Sequence, residues 1–178
     1  MNPPNIKKLK RELHYLNNGA EQGEKPQGLG TVEFTITCNN NSAEVLIKAH
    51  ALMTDLLKIA IENWPWPDDD FWTDNLPDWF VKRCAKDITE EEAEALMQER
   101  RLLPWEERRK LAQSDKWSLS NWIYWFHPDN RYWHWWHAGI LDKNTILLYV
   151  EVYEWPYPWG ALSWLFRAAG AISVDSKD

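Results

Sequence analysis

The chain has 178 residues, 14 of them tryptophan, and its 20 Lys and Arg against 27 Asp and Glu give a formal charge of -7. That length supports one hydrophobic core and not two, and 44% hydrophobic with 26% charged residues excludes disordered, collagen-like and coiled-coil chains. The best apolar run, around Gly160 to Ile172, is short and broken by Arg167, so no bilayer span is predicted and a soluble chain with no membrane partner is expected.

Residues 1–30 read as a basic N-terminal helix over 5–17, carrying Lys7, Lys8, Lys10 and Arg11, followed by a loop from Gly19 to Gly30 with four glycines and Pro26. The helix lacks the continuous apolar stretch of a secretion signal. Thr31 to Cys38 alternates, with Val32, Phe34, Ile36 and Cys38 on one face, and predicts a half-buried strand. Asn41, with Glu44 three residues later, predicts a capping-box start for a helix running to about Glu62, whose apolar stripe is Leu46, Ala49, His50, Met53, Leu56, Leu57 and Ala60.

Residues 64–116 read as an acidic helical insertion. Pro65 and Pro67 stop the preceding helix and predict an extended connector carrying Asp68, Asp69 and Asp70 outside any helix. Short helices are predicted from Pro77 to about Lys86, from Glu90 to Arg101 capped by Thr89 with Glu92 at the third position, and from Pro104 to Gln113. Leu96, Met97, Trp105 and Leu111 are the residues expected to provide buried contacts for the last two. Residues 117–174 read as a meander of three strands, Asn121 to Phe126, Arg131 to Ala138 and Thr145 to Tyr153, turned at Pro128 to Asn130 and Asp142 to Asn144. A closing helix runs from Trp159 to Ala169, with Gly170 as its stop. The result is a single α+β domain: an antiparallel sheet of the three-strand meander plus the early strand, with helices on one face and a helical insertion.

The charge is local. Residues 61–100 hold 4 basic and 12 acidic groups, whereas 1–60 hold 7 and 6, and 101–178 hold 9 and 9. Four tryptophans, Trp64, Trp66, Trp72 and Trp79, interleave with this acidic block. The balance disfavours nucleic acid and anionic membranes and attracts cations.

Most constellations that carry chemistry are missing. Cys38 and Cys84 form no C-x-x-C and give no disulfide or zinc framework, which fits a reducing cytoplasm. His134 and His137 differ by an odd number, so a regular strand points them to opposite faces, and only a β-bulge between them would bring them together. No metal and no cofactor are expected. Gly28-Leu29-Gly30 precedes a strand and is no phosphate loop, and Ser118, Ser120 and Ser163 lie in no nucleophile elbow.

The expected function is therefore a non-enzymatic interaction module binding a basic protein partner. Its candidate surface is Trp64, Trp66, Asp68, Asp69, Asp70, Trp72 and Trp79, with Trp155 and Trp159 from the second Trp-Pro-aromatic-Pro segment. Two alternatives stand beside it. If the segments 64–67 and 155–158 meet in space, an aromatic, acidic cleft for a small molecule or carbohydrate results, with carboxylates placed for acid–base work. A homo-oligomer joined through its Trp-rich sheet face is the other.

Overall fold

The structure, a computed structural model, describes residues 4–177. In chain order its elements are α1 (Pro4–Asn18), β1 (Gly30–Thr37), α2 (Ser42–Glu62), α3 (Asp69–Asn75), α4 (Asp78–Arg83), α5 (Glu90–Arg101), α6 (Trp105–Ser114), α7 (Leu119–Phe126), α8 (Pro128–Arg131), β2 (Trp133–Asp142), β3 (Thr145–Val152), α9 (Gly160–Ala168) and β4 (Ser173–Ser176). The strands form one antiparallel sheet in the order β2-β3-β1-β4, so the early strand lies inside the sheet, between β3 and β4. No helix of the described residues is long and apolar enough to cross a membrane.

Two expectations about this sheet are corrected. The stretch 121–126 is not a strand: α7 buries Trp122, Ile123 and Phe126, and Ser118 Oγ accepts from the Asn121 amide at its start. Those positions share the 3.6-residue stripe of a helix. The fourth strand is instead β4, which pairs with the second half of β1, Phe34 opposite Ser176 through Thr37 opposite Ser173. The turn foreseen at 128–130 is the short helix α8.

One sheet face carries Phe34, Ile36, Ile146, Leu148, Val150, Trp133 and Trp135, all buried against the helical layer. The central helix, α2, presents Val45, Ala49, Leu52, Met53, Leu56, Leu57 and Ala60 to this core, while Leu46 and His50 sit at its margin. Its predicted capping box does not form. The Asn41 side-chain oxygen accepts from the Asn39 amide at 2.9 Å, and its NH2 donates to Gly170 O at 3.4 Å.

Three of the buried indoles donate to backbone carbonyls, as a ring N–H removed from water requires. Trp72 Nε1 donates to Pro67 O at 3.1 Å, Trp122 Nε1 to Ala161 O at 3.0 Å, and Trp133 Nε1 to Pro158 O at 3.1 Å. Trp133, Trp135 and Trp136 are all buried. The indoles of β2 are thus covered by the chain itself.

The strand β2 lies at the sheet edge, and α1 packs along its first half. Past Trp135 a β-bulge interrupts the pairing: Trp135 faces Val150, but His137 faces Tyr149. Trp136 is the extra residue, and its ring meets Tyr15 and the Arg11 guanidinium of α1.

The second face of the sheet carries a polar cluster centred on Glu151. This buried carboxylate accepts from Arg11 Nη1 at 2.6 Å, from Tyr153 Oη at 2.8 Å, and from the Gln27 and Gly28 amides of the loop between α1 and β1. The loop can press this close because residue 28 is glycine: a Cβ there would stand 2.2 Å from Val152 O. Burial alone would raise the Glu151 carboxyl, but the donors around it prevail and hold it below its ordinary value.

Candidate functional site

The helical insertion does not fold into the core as a solid layer. α3 starts where an extended connector is expected. Asp68 is its N-cap, accepting from the Phe71 amide at 2.9 Å, and Asp69 and Asp70 occupy its first turn. Carboxylates at these positions satisfy free amides and complement the positive helix end. The four-residue period then sends Trp72 inward, where it is fully buried. Trp72 therefore leaves the candidate binding set and becomes a core residue. Trp64 and Trp66 remain half-buried and flank the His127 ring at 6.3 and 5.1 Å between centroids. Trp79, also half-buried, lies against Phe80 with Lys48 Nζ 5.8 Å from its centroid.

The two Trp-Pro-aromatic-Pro segments each have a cis Trp–Pro bond, at Trp64–Pro65 and Trp155–Pro156, and both contribute to one cleft. Trp66 from the first, with Tyr157 and Pro158 from the second and the adjoining Trp159, line one cleft of about 1460 Å3. Trp117 adds a third half-buried indole. Trp155 does not contribute: it is 59% exposed and lies outside the cleft lining, touching Tyr157 edge-on at 5.4 Å.

Asp69 and Asp87, the latter absent from the candidate set, line the cleft together with Lys86, Arg109 and Lys116. Asp87 accepts the Ser120 hydroxyl. Burial pushes the Asp69 carboxyl up, and the charges of Asp87, Asp68 and Asp70 push the same way. Among the described residues no ion pair neutralises Glu62, Asp68, Asp69, Asp70, Asp74, Asp78 or Asp87. His127 stands at the same end, with Nδ1 accepting the Asp129 amide at 3.1 Å. Burial lowers its pKa, and the Asp129 charge opposes that only in part. The imidazole is accordingly neutral at pH 7, with its proton on Nε2.

The hairpin of α5 and α6 contributes another part of the lining. The start of α5 follows the sequence closely: Thr89 Oγ1 accepts from the Glu92 amide, and the Glu92 carboxylate accepts from the Thr89 amide. The expected burial does not follow. Neither helix buries a residue, and Leu96, Met97, Trp105 and Leu111 are all exposed. Ala93, Leu96, Met97 and Arg100, spaced as one helical stripe, line the cleft. The hairpin is fastened at its base, where Arg100 grips the Asp115 carboxylate and Arg167 Nη1 donates to Asp115 O at 2.7 Å.

The bulge at Trp136 overturns the parity expected for the strand histidines. His134 and His137, paired with Glu151 and Tyr149, share the second sheet face. Glu151 is already saturated by Arg11, Tyr153 and two amides, and among the described residues no three His, Cys, Asp or Glu side chains are grouped to hold a metal. Burial raises the pKa of both Cys38 and Cys84, so neither thiol is an activated nucleophile. No protein-family model, curated protein or solved structure matches this chain.

Proposed function

We propose that this protein is an interaction module whose acidic, Trp-bearing surface, running from Glu62 to Asp87, engages a basic segment of another protein. One observation carries the reading: seven carboxylates between Glu62 and Asp87 have no ion-pair partner among the described residues, and two of them, Asp69 and Asp87, line a cleft with three indoles. Unneutralised carboxylates create a negative potential that speeds encounter with a cationic partner. Indole faces beside them accept both an ammonium or guanidinium head and its apolar stem, which supplies affinity once water leaves.

The test is the association rate of a Lys-rich peptide with the full chain, read against a Glu-rich peptide of equal length. Raising salt from about 50 to 500 mM is expected to slow association by an order of magnitude or more, since exposed charges are screened over such a range. Asp69→Lys with Asp70→Lys, which spares the Asp68 cap, is expected to slow it similarly. Equal rates for the two peptides, or rates insensitive to salt, would overturn the reading.

A second reading has its own support. Asp69, with its carboxyl raised, and Asp87 stand in the same cleft as three indoles, the combination of acid, base and stacking platform used on carbohydrates. Quenching of tryptophan fluorescence by neutral oligosaccharides, unaffected by salt, would favour it over the protein partner.

A further inference from the structure

The edge strand β2 is closed at both ends and open in between. Along its first half α1 packs against it, and Glu12 Oε1 accepts the Trp135 amide at 2.8 Å. At its far end the Ser42 hydroxyl donates to Asp142 O at 2.7 Å. Among the described residues no element pairs with the outer edge of residues 137–141. That stretch, His137-Ala138-Gly139-Ile140-Leu141, contains no Lys, Arg, Asp, Glu or Pro, the residues with which strand edges are kept from pairing. The other edge of the sheet, β4, is only four residues long and includes Asp175. Beside the open edge a groove of about 490 Å3 runs between β2 and α2, lined by Ala138 of the strand and by Leu46, Ile47 and Ala51 of the helix, with no Lys, Arg, Asp or Glu in its lining. On the strand itself Ile140 is 49% exposed. An apolar groove and an apolar side chain without cover thus belong to residues two apart on one edge.

We infer that this edge is covered by a second copy of the chain, the two β2 strands pairing antiparallel about a two-fold axis at Gly139. The register follows from the strand. Residues directly opposite each other in an antiparallel pair share a sheet face, so in a two-fold pairing of one strand with itself their numbers differ by an even number and the axis passes a residue. The open stretch 137–141 is centred on Gly139. An axis at Ile140 would call on Asp142, whose carbonyl Ser42 holds, and one at Ala138 would call on Trp136, the bulge residue packed on Tyr15. About Gly139, Ile140 of each copy falls opposite Ala138 of the other. Both residues take the core face, being paired with Ile146 and Leu148, so each Ile140 is delivered to the groove that Ala138 lines in the other copy. A two-fold contact sets every charge near its own image, and this edge carries none that would repel. The surface from Glu62 to Asp87 takes no part, so the pairing is independent of the basic-partner reading.

Sedimentation of the full chain over a concentration series tests this. The average mass is expected to climb from that of one chain towards that of two with a Kd of about 10–100 μM, weak because five paired residues make a small interface. Ile140→Lys, which sets a charge at the open edge, is expected to weaken self-association at least about tenfold while the melt of dilute protein stays unchanged. Leu102→Lys, at a residue 87% exposed and away from the edge, is expected to leave it intact. The register has its own test. A Cβ at Gly139 meets nothing within 4 Å, and its φ is not in the left-handed region, so Gly139→Cys fits the fold. Opposed residues of an antiparallel pair have Cα atoms about 4.5–5.5 Å apart, within reach of a disulfide. In a Cys84→Ser background, Gly139→Cys treated with oxidised glutathione is expected to give a covalent dimer at least tenfold faster than Leu102→Cys does, a ratio set at about the effect of Ile140→Lys. A chain that stays monomeric to ~300 μM, self-association that Ile140→Lys leaves unchanged, or equal cross-linking of the two cysteine variants overturns the inference. None of these outcomes touches the basic-partner reading, which is decided by its own peptides.

Discussion

Arg131 and Glu12 meet as a two-pronged ion pair with neither side chain exposed: Nη1 lies 2.7 Å from Oε1 and Nη2 2.5 Å from Oε2. The same Glu12 Oε1 accepts the amide of Trp135 at 2.8 Å, and the guanidinium lies over the rings of Phe126 and Trp133. One carboxylate thus fastens α1 to α8 and closes a free amide of the edge strand. Removing one partner strands the other as a buried charge. Arg131→Met is expected to destabilise by about 3–5 kcal/mol in urea unfolding. Glu12→Leu with Arg131→Met is expected to cost less than Arg131→Met alone, since no charge is stranded. A larger loss in the double variant would mean that the pair stabilises the fold outright.

His134 sets a pH limit on stability. Burial, then the charges of Arg131, Lys8 and Arg11, hold its pKa well below the ordinary 6.5. As pH falls through 6.5 the unfolded chain takes up a proton that the folded chain refuses, so unfolding is favoured increasingly down to the folded pKa. Glu151, also held low, adds a second loss below the ordinary glutamate value of 4.5. Melting temperatures followed from pH 7.5 to about pH 5 are expected to fall in the wild type and to stay flatter in His134→Gln. Parallel curves for the two would exclude His134 as the cause.

Gly28→Ala tests the loop that covers the second sheet face. The new Cβ would lie 2.2 Å from Val152 O, so the backbone must withdraw, breaking the Leu29 amide bond to that oxygen and loosening the amide donors to Glu151. A loss of about 1–3 kcal/mol is expected, with faster amide exchange at Gln27 to Leu29. Wild-type stability would show that the loop yields freely.

Thr89→Ala removes one half of the capping box of α5. A cap of this kind is worth about 1 kcal/mol, but a helix that buries nothing passes little of its stability to the core. Amide exchange in α5 is expected to rise severalfold while the global melt is unchanged. A lower global melting temperature would place the hairpin inside the cooperative unit.

Asp69→Asn removes a carboxylate crowded by burial and by Asp87, Asp68 and Asp70. Because the folded pKa is raised, wild-type stability is impaired above it, where the group is ionised, and restored as acid protonates it. The variant is expected to melt higher at pH 7 and to lose that advantage in acid. No gain at neutral pH would mean that water screens the crowding fully.

Where side-chain period and capping agreed, the sequence was transparent: α1, α5, α6, α9 and β3 lie within a few residues of their expected bounds. The helix α7 was misread because Trp122, Ile123, Tyr124, Trp125 and Phe126 are strand-favouring types in so short a run that two periods fit it. Tertiary burial of Trp122 and Phe126 decides between them. β4 was invisible because Val174 is its one buried residue. At the site, the interleaving of Trp and Asp pointed to Trp66 and Asp69. Asp87 and the wall of α5 were missed because the cleft is assembled from segments distant in sequence. One signal was present: the hairpin has too few large apolar residues to pack on two sides.

The extra residue at Trp136 works like a phase shift in the strand. Upstream of it odd-numbered Trp133 and Trp135 take the core face of the sheet, and downstream even-numbered Ala138 and Ile140 take it, opposite Leu148 and Ile146, with Ile140 already exposed towards the strand's end. Deleting that one residue would not merely shorten β2. With the Glu12 contact at Trp135 holding the first half in place, the second half would turn over, sending Gly139 and Leu141 inward and Ala138 and Ile140 out. Point substitutions along β2 act one side chain at a time, whereas a single-residue deletion there rewrites the inside and outside of everything beyond it.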